Sequence, residues 1–185
     1  MSALAAAPGH LRAGLSSAFA LALGRRQGMD TMPADPQAPM LSFWAAGICL
    51  PAFILLRLLA WSETAAPAYP LRSLVAGILF YIIGWAGYAI LSHRAVTALG
   101  RAALWPRYIV AWNWCNVVQY ALFIAANVPG LLGVPDWLQQ TLSLIALFWA
   151  LWLEWFAARL ALQVGVLPAL LLVGLDVLIG LLLAG

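Results

Sequence analysis

Long apolar runs, separated by short polar breaks, dominate the chain. An α-helix needs about 20 mostly apolar residues to cross the hydrocarbon core of a bilayer. Five runs of this kind lie at 41–61, 73–92, 108–128, 137–158 and 166–183. Loops are predicted at 62–72, at 93–106, at the Pro129–Gly130 turn through Asp136, and at a last corner between 159 and 168. The pattern predicts an all-α membrane protein, a bundle of about five transmembrane helices.

Composition agrees with this fold class. The chain is 65% hydrophobic and only 8% charged, which leaves too few charged side chains to cover the surface of a soluble domain. Its nine basic residues are all arginines and are scattered near helix ends. Because nucleic-acid binding requires a clustered basic patch, no nucleic-acid partner is predicted. The expected partners are the lipid bilayer, other membrane proteins or further copies of the chain.

The placement of the arginines predicts an orientation, because short arginine-rich loops stay in the cytoplasm. One set of ends carries Arg12, Arg25, Arg26, Arg94, Arg101, Arg107 and Arg159; the opposite loops carry only Glu63, Arg72 and Asp136. The exclusive use of arginine suggests a GC-rich bacterial gene. We therefore expect a multi-pass protein of the bacterial inner membrane, with a cytoplasmic N-terminus and a periplasmic C-terminus.

Residues 1–40 form a separate segment in this interpretation, and residues 41–185 form the transmembrane domain. Apolar side chains recur every four residues before Arg25 and Arg26: Leu11, Leu15, Phe19 and Leu23. This spacing favours an amphipathic helix on the inner leaflet, followed by a linker. The alternative is a signal peptide, with an apolar core at 15–23 and a cleavage site of small residues at 18–20. The basic pair after the apolar stretch argues against export.

Three ionisable residues fall inside the predicted spans. A charge at mid-helix costs about 2.5 to 3.5 kcal/mol on insertion scales, so each of these residues needs an interaction partner or a function. Arg57 lies near the outer end of its span, where it could reach the interface or Glu63. Glu154 lies near the inner end, and inner-face ion pairs with Arg107 and Arg159 are predicted for it.

Asp176 lies near the middle of the last span, where no arginine is level with it. Asn113, Asn116 and Gln119 step by three residues along the third span and so share one stripe of that helix, about 120° wide. We expect these amides and Asp176 to form an intramembrane polar cluster. Such a cluster either joins helices through interhelical hydrogen bonds or forms a path for a transported solute.

The other candidate features predict packing rather than chemistry. No motif of a protease, hydrolase or phosphate-binding loop occurs, and His10 and His93 lie outside the helix interiors where haem would need a ligand. Cys49 and Cys115 lack metal or redox spacing and are expected to be buried, small apolar residues. Gly77, Gly84 and Gly87, mixed with aromatic residues, predict a helix-packing seam. No catalytic residue, cofactor or metal ion is therefore predicted.

Two segments resemble known proteins: RYIVAWNW at 107–114 and EWFAAR at 154–159. They are similar to segments of small uncharacterised membrane proteins of alphaproteobacteria, and the layout is distantly similar to Yip1-like proteins. The resemblance implies five spans behind an N-terminal segment and assigns no functional residue. The sequence thus favours a non-catalytic scaffold or accessory subunit. The alternative is a small transporter or channel with a polar path through Asn113, Asn116, Gln119 and Asp176.

Overall fold

The computed structural model describes the backbone of residues 3–183 and the side chains of residues 9–62 and 65–183. Within this range the chain is helical and contains no β-strand. The helices are α1 (Ala3–Ala22), α2 (Gln27–Asp30), α3 (Ala38–Ser42), α4 (Trp44–Thr64), α5 (Pro70–Ala98), α6 (Trp105–Leu131), α7 (Asp136–Leu162) and α8 (Val166–Leu183). A 3₁₀ turn, Ala102–Leu104, precedes α6.

Five helical stretches in the described range are long and apolar enough to cross a membrane. They are Ala38–Ser62, Pro70–Ala98, Ala102–Leu131, Asp136–Leu162 and Val166–Leu183. Each contains one of the runs predicted from hydropathy. The all-α membrane class and the number of spans are therefore confirmed, together with a helix that precedes them.

The predicted loop at 93–106 was too long. α5 continues to Ala98, and α6 already begins at Trp105. Polar residues extend α5 beyond its apolar run, and the hydroxyl of Thr97 donates to the carbonyl of His93 at 2.8 Å. Pro106 is compatible with a helix start, because the amide of the first turn needs no partner. The left-handed Gly100, with φ of +70°, reverses the chain between the helices.

The turn predicted at Pro129 and Gly130 was also misplaced, because α6 runs through both residues to Leu131. A proline in the last turn removes a single backbone hydrogen bond, which a helix end tolerates better than a helix centre does. The reversal occurs instead at Gly133, where φ is +76°. The last corner, left open by the sequence, is formed by the left-handed Gln163 between α7 and α8.

α6 is the central helix of the bundle. It packs against α1, α3 and α4, and it makes its most extensive contact with α7. α8 packs against α5 and α7. α5 and α6 follow each other along the chain but approach closely at few positions. The bundle is therefore dense around one side of α6 and open on the side that faces α5.

α1 has the predicted apolar stripe and is also built into the bundle. Leu15, Phe19 and Leu23 on one face are exposed. The opposite face is buried, with Ala18 and Leu21 fully inaccessible. α1 contacts α2, α3, α6 and α7. It is thus a packed element of the fold rather than a helix that touches only lipid.

Candidate functional site: an aromatic cavity with ionisable groups

A cavity of about 250 Å³ lies among α4, α5, α6 and α8. It occupies the open side of α6, where α5 stands away. Its lining combines aromatic rings, small residues and three strongly polar side chains. The lining residues are Phe53, Arg57, Gly77, Phe80, Tyr81, Gly84, Trp85, Trp112, Asn116, Tyr120, Asp176, Ile179, Gly180 and Leu183.

Aromatic rings form the walls and keep α5 apart from α6. Tyr81 lies 4.9 Å from Phe53 and 5.9 Å from Trp85, measured between ring centroids. Trp112 of α6 meets Trp85 edge-on at 5.0 Å and stacks on Tyr88 at 4.3 Å. Rings of this size fill the distance between two helices whose backbones approach closely at few positions. The aromatic residues that predicted a packing seam in α5 therefore line a cavity.

Arg57 lines this cavity from α4 and is partly buried. Its Nε is inaccessible and has no hydrogen-bond partner among the described residues. Gly77 faces this guanidinium, and a Cβ built there would lie in van der Waals contact with Nε, at 3.8 Å. The predicted contact with Glu63 falls on a side chain outside the described residues. A buried guanidinium N–H without a partner is costly and favours an acceptor supplied by a ligand.

Asp176 and Asn116 line the same cavity from α8 and α6. Both are partly buried, and the Asn116 amide donates to the carbonyl of Trp112 at 3.0 Å. Within the predicted polar cluster, these are the two residues that the structure brings to one site. An amide donor and a carboxyl group thus face a space whose other walls are largely apolar.

The other two amides of the predicted stripe point elsewhere. Asn113 is fully buried and donates to the hydroxyl of Ser42, the last residue of α3, at 2.7 Å. Gln119 donates to the carbonyl of Ala150 in α7 at 2.9 Å. Because α6 has neighbours on several sides, a stripe about 120° wide reaches three different surroundings. The prediction of one four-residue cluster is corrected to two interhelical hydrogen bonds, made by Asn113 and Gln119, and two cavity residues, Asn116 and Asp176.

A second set of polar side chains, Tyr88, Tyr108 and Glu154, lies between the cavity and the arginine-rich end of the bundle. The Tyr88 hydroxyl is 3.4 Å from both the Glu154 carboxylate and the Leu172 carbonyl, and it is hydrogen-bonded to the Tyr108 hydroxyl. A hydroxyl carries one hydrogen, so Tyr108 donates to Tyr88 when Tyr88 donates to either acceptor. Glu154 is only 4% exposed and lies within electrostatic range of Asp176.

The ion pairs predicted for Glu154 do not form among the described residues. Arg107 instead donates to the carbonyl of Met29 at 3.2 Å and lies 3.7 Å from Asp30. Arg159 lies over the ring of Trp155, 4.9 Å from its centroid. Five residues along a helix correspond to a rotation of about 140°, so Glu154 and Arg159 occupy different faces of α7. Glu154 faces the core, and the arginine does not.

The sequence patterns did not single out the hydroxyl groups of Tyr88 and Tyr108. For Arg57 they predicted a position at the interface or beside Glu63 and not in a cavity. A tyrosine within a span needs a hydrogen-bond partner for its hydroxyl, and this could have singled out Tyr88 and Tyr108. Cys49 and Cys115 are buried, as predicted. The described residues hold no group of histidine, cysteine and acidic side chains that could bind a metal ion.

Comparison of the chain with protein-family models, with curated proteins and with solved structures gave no match. The resemblance to small bacterial membrane proteins therefore stays a prediction.

Proposed function

We propose that this polytopic membrane protein binds a small organic anion in the aromatic cavity and carries it across the membrane. The observation that carries the proposal is the partly buried Arg57, whose Nε lacks a partner among the described residues and which lines a cavity with aromatic walls. A guanidinium is the side chain best suited to binding a carboxylate or sulfonate in a poorly hydrated site. The role is non-catalytic.

Each part of the cavity has a place in this proposal. Arg57 binds the anionic group. Tyr81, Trp85 and Trp112 contact the apolar body of the ligand, and Asn116 offers an amide at the deep end. At about 250 Å³ the cavity is slightly smaller than the roughly 300 to 1,000 Å³ of drug-sized sites, which favours a small ligand. Asp176 disfavours a second anionic group at its own position, which orients the ligand with its charge toward Arg57.

We further propose that the membrane is the bacterial inner membrane and that the N-terminus is cytoplasmic. With five spans, the ends of α5 and α7 that carry Arg94 and Arg159 lie on the same side as the starts of α4 and α6. This shared side carries most of the arginines and would face the cytoplasm. A reporter fused after Gly185 should then read as periplasmic, and a cytoplasmic reading would contradict this orientation.

Benzenesulfonate is a suitable probe, because its permanent charge keeps it from crossing lipid unaided. Vesicles containing the protein should accumulate the labelled probe down its gradient faster than empty vesicles do. Arg57→Gln should lower binding roughly tenfold or more, since a charge-assisted hydrogen bond contributes about 1.5 to 3 kcal/mol. Arg72→Gln is the matched control, because Arg72 is exposed near the same end of the bundle and does not line the cavity.

The competing proposal is a scaffold or accessory subunit. It predicts no probe binding by the folded parent protein and equal behaviour of both arginine variants. A second comparison measures the amount of folded protein in Asp176→Asn and Asp176→Leu. In a scaffold, the isosteric amide should leave this amount unchanged. If a pull-down in mild detergent then recovered a stable complex with another membrane protein, the accessory role would replace the carrier.

A further inference from the structure

A second and larger groove lies on the opposite side of α6, bounded by α1, α6 and α7. Its volume is about 750 Å³. The floor consists of aliphatic side chains of α6 and one indole of α7, and α1 forms the wall. The lining includes Arg12, Ser16 and Phe19 of α1, Ala121 and Leu122 of α6, and Trp149 of α7.

The lining determines what can fill this groove. Val117, Val118, Ala121 and Leu122 lie within a membrane-spanning stretch, so the surrounding medium is hydrocarbon. Water would need two to four polar partners for each molecule, and the aliphatic side chains that α6 contributes offer none. Leu15, Phe19 and Leu23 of α1 remain exposed toward this medium. The groove is therefore suited to an acyl chain.

The polar part of the lining adds a sign of charge. Among the described residues, Arg12 and Ser16, one turn apart on α1, are its polar side chains, and none of the lining residues is acidic. Since basic side chains at a membrane interface attract anionic lipids, this edge of the groove is matched to a phosphate headgroup.

We propose that the groove is a binding site for one anionic phospholipid, with an acyl chain between α1 and α6 and its headgroup at Arg12. The lipid would join α1 to the membrane-spanning helices on the side that protein atoms leave open. This site is separate from the aromatic cavity and does not depend on the carrier function.

Native mass spectrometry of the purified protein tests the proposal with phosphatidylglycerol and phosphatidylcholine of identical chains. The parent should retain one phosphatidylglycerol with roughly fivefold preference over phosphatidylcholine, since one basic side chain near the membrane surface contributes about 1 kcal/mol. Arg12→Gln should abolish the preference while chain binding persists, and Ala121→Phe should reduce retention of both lipids. Arg101→Gln, in an exposed connection away from the groove, should leave the preference unchanged.

A second measurement does not depend on variants that fill the groove. Phosphatidylglycerol brominated on its chains should quench the part of the fluorescence that Trp149→Phe removes, and excess phosphatidylcholine should not relieve the quenching. Three results would overturn the proposal: an unchanged preference in Arg12→Gln, no quenching of Trp149, or a dimer in which a second copy excludes the lipid.

Discussion

The two sides of α6 follow opposite packing rules. Toward α1 and α7 the contacts are made by small residues. The ring of Trp114 lies so close to Gly14 that a Cβ there would come within 2.3 Å of the indole. α7 contributes a series of buried alanines: Ala146, Ala150, Ala157, Ala158 and Ala161. Toward α5 the contacts are made by large rings, and a cavity remains between them.

This difference follows from what holds helices together in a membrane. Lipid is as apolar as leucine, so close approach through small residues stabilises helix pairs where burial alone does not. Large aromatic rings separate helices and leave irregular spaces. Ionisable groups in the membrane require partners that apolar packing cannot supply, and Arg57 and Asp176 line such a space. The packed side therefore provides stability, and the open side provides a site.

The largest expected effect is on the packed side. Gly14→Ala should force the ring of Trp114 to move and should destabilise the protein by about 2 to 3 kcal/mol relative to Gly9→Ala, within the usual range for overpacking. Gly9 lies in the same helix with nothing within 4 Å of its Cβ position, so the gain in helix propensity cancels between the variants. Thermal unfolding in detergent measures the difference. Equal stability of the two variants would show that α1 does not pack tightly against α6.

The next effect concerns the border between the two sides. Tyr88→Phe removes the hydroxyl that contacts Tyr108, Glu154 and the Leu172 carbonyl. We expect a loss of about 1 to 3 kcal/mol, because buried polar partners lose their hydrogen bond. Tyr69→Phe, at a site that is 71% exposed, should have no comparable effect. A Tyr88→Phe protein as stable as the parent would refute a structural role for this network.

The smallest effect lies at the edge of the packed side, where His10 of α1 meets Asp35 at 2.5 Å. This hydrogen bond holds the pKa of the Asp35 carboxyl below its ordinary value of 3.8. A lowered pKa in the folded state stabilises the protein above pH 3.8, and the stabilisation is lost as the pH falls through the lowered value. Because the pair is exposed to solvent, the effect should be small. Melting curves in acid should differ less between Asp35→Asn and the parent than curves at neutral pH do.

Hydropathy predicted the spans well, because a lipid-facing helix is apolar over its whole length and needs no tertiary information. It misplaced the helix ends at Ala98 and Leu131. α5 continues through polar residues beyond its apolar run, and α6 continues through Pro129. The site was only partly predictable. Asp176 and Asn116 stood out as polar residues in spans, and both line the cavity.

The partners of the polar residues could not be predicted from the same information. The stripe of Asn113, Asn116 and Gln119 fixes a helix face, but the neighbours of that face depend on how all the helices pack. The role of Arg57 depends on the cavity between α4 and the rings of α5, which exists only in the assembled bundle. The position of Glu154 beside Tyr88 rather than an arginine likewise depends on the rotation of α7.

Thiol labelling in native membranes tests most directly whether one side of α6 is packed against its neighbours while the other side lines an accessible cavity. Cysteine would replace Asn116, which lines the cavity, or Asn113, three residues away and packed against α3. In a background carrying Cys49→Ser and Cys115→Ser, a small water-soluble methanethiosulfonate should modify Asn116→Cys, and benzenesulfonate should slow the reaction. Asn113→Cys should remain unmodified. Equal reactivity at the two positions, or protection of Asn116→Cys from the reagent without any ligand, would contradict the account.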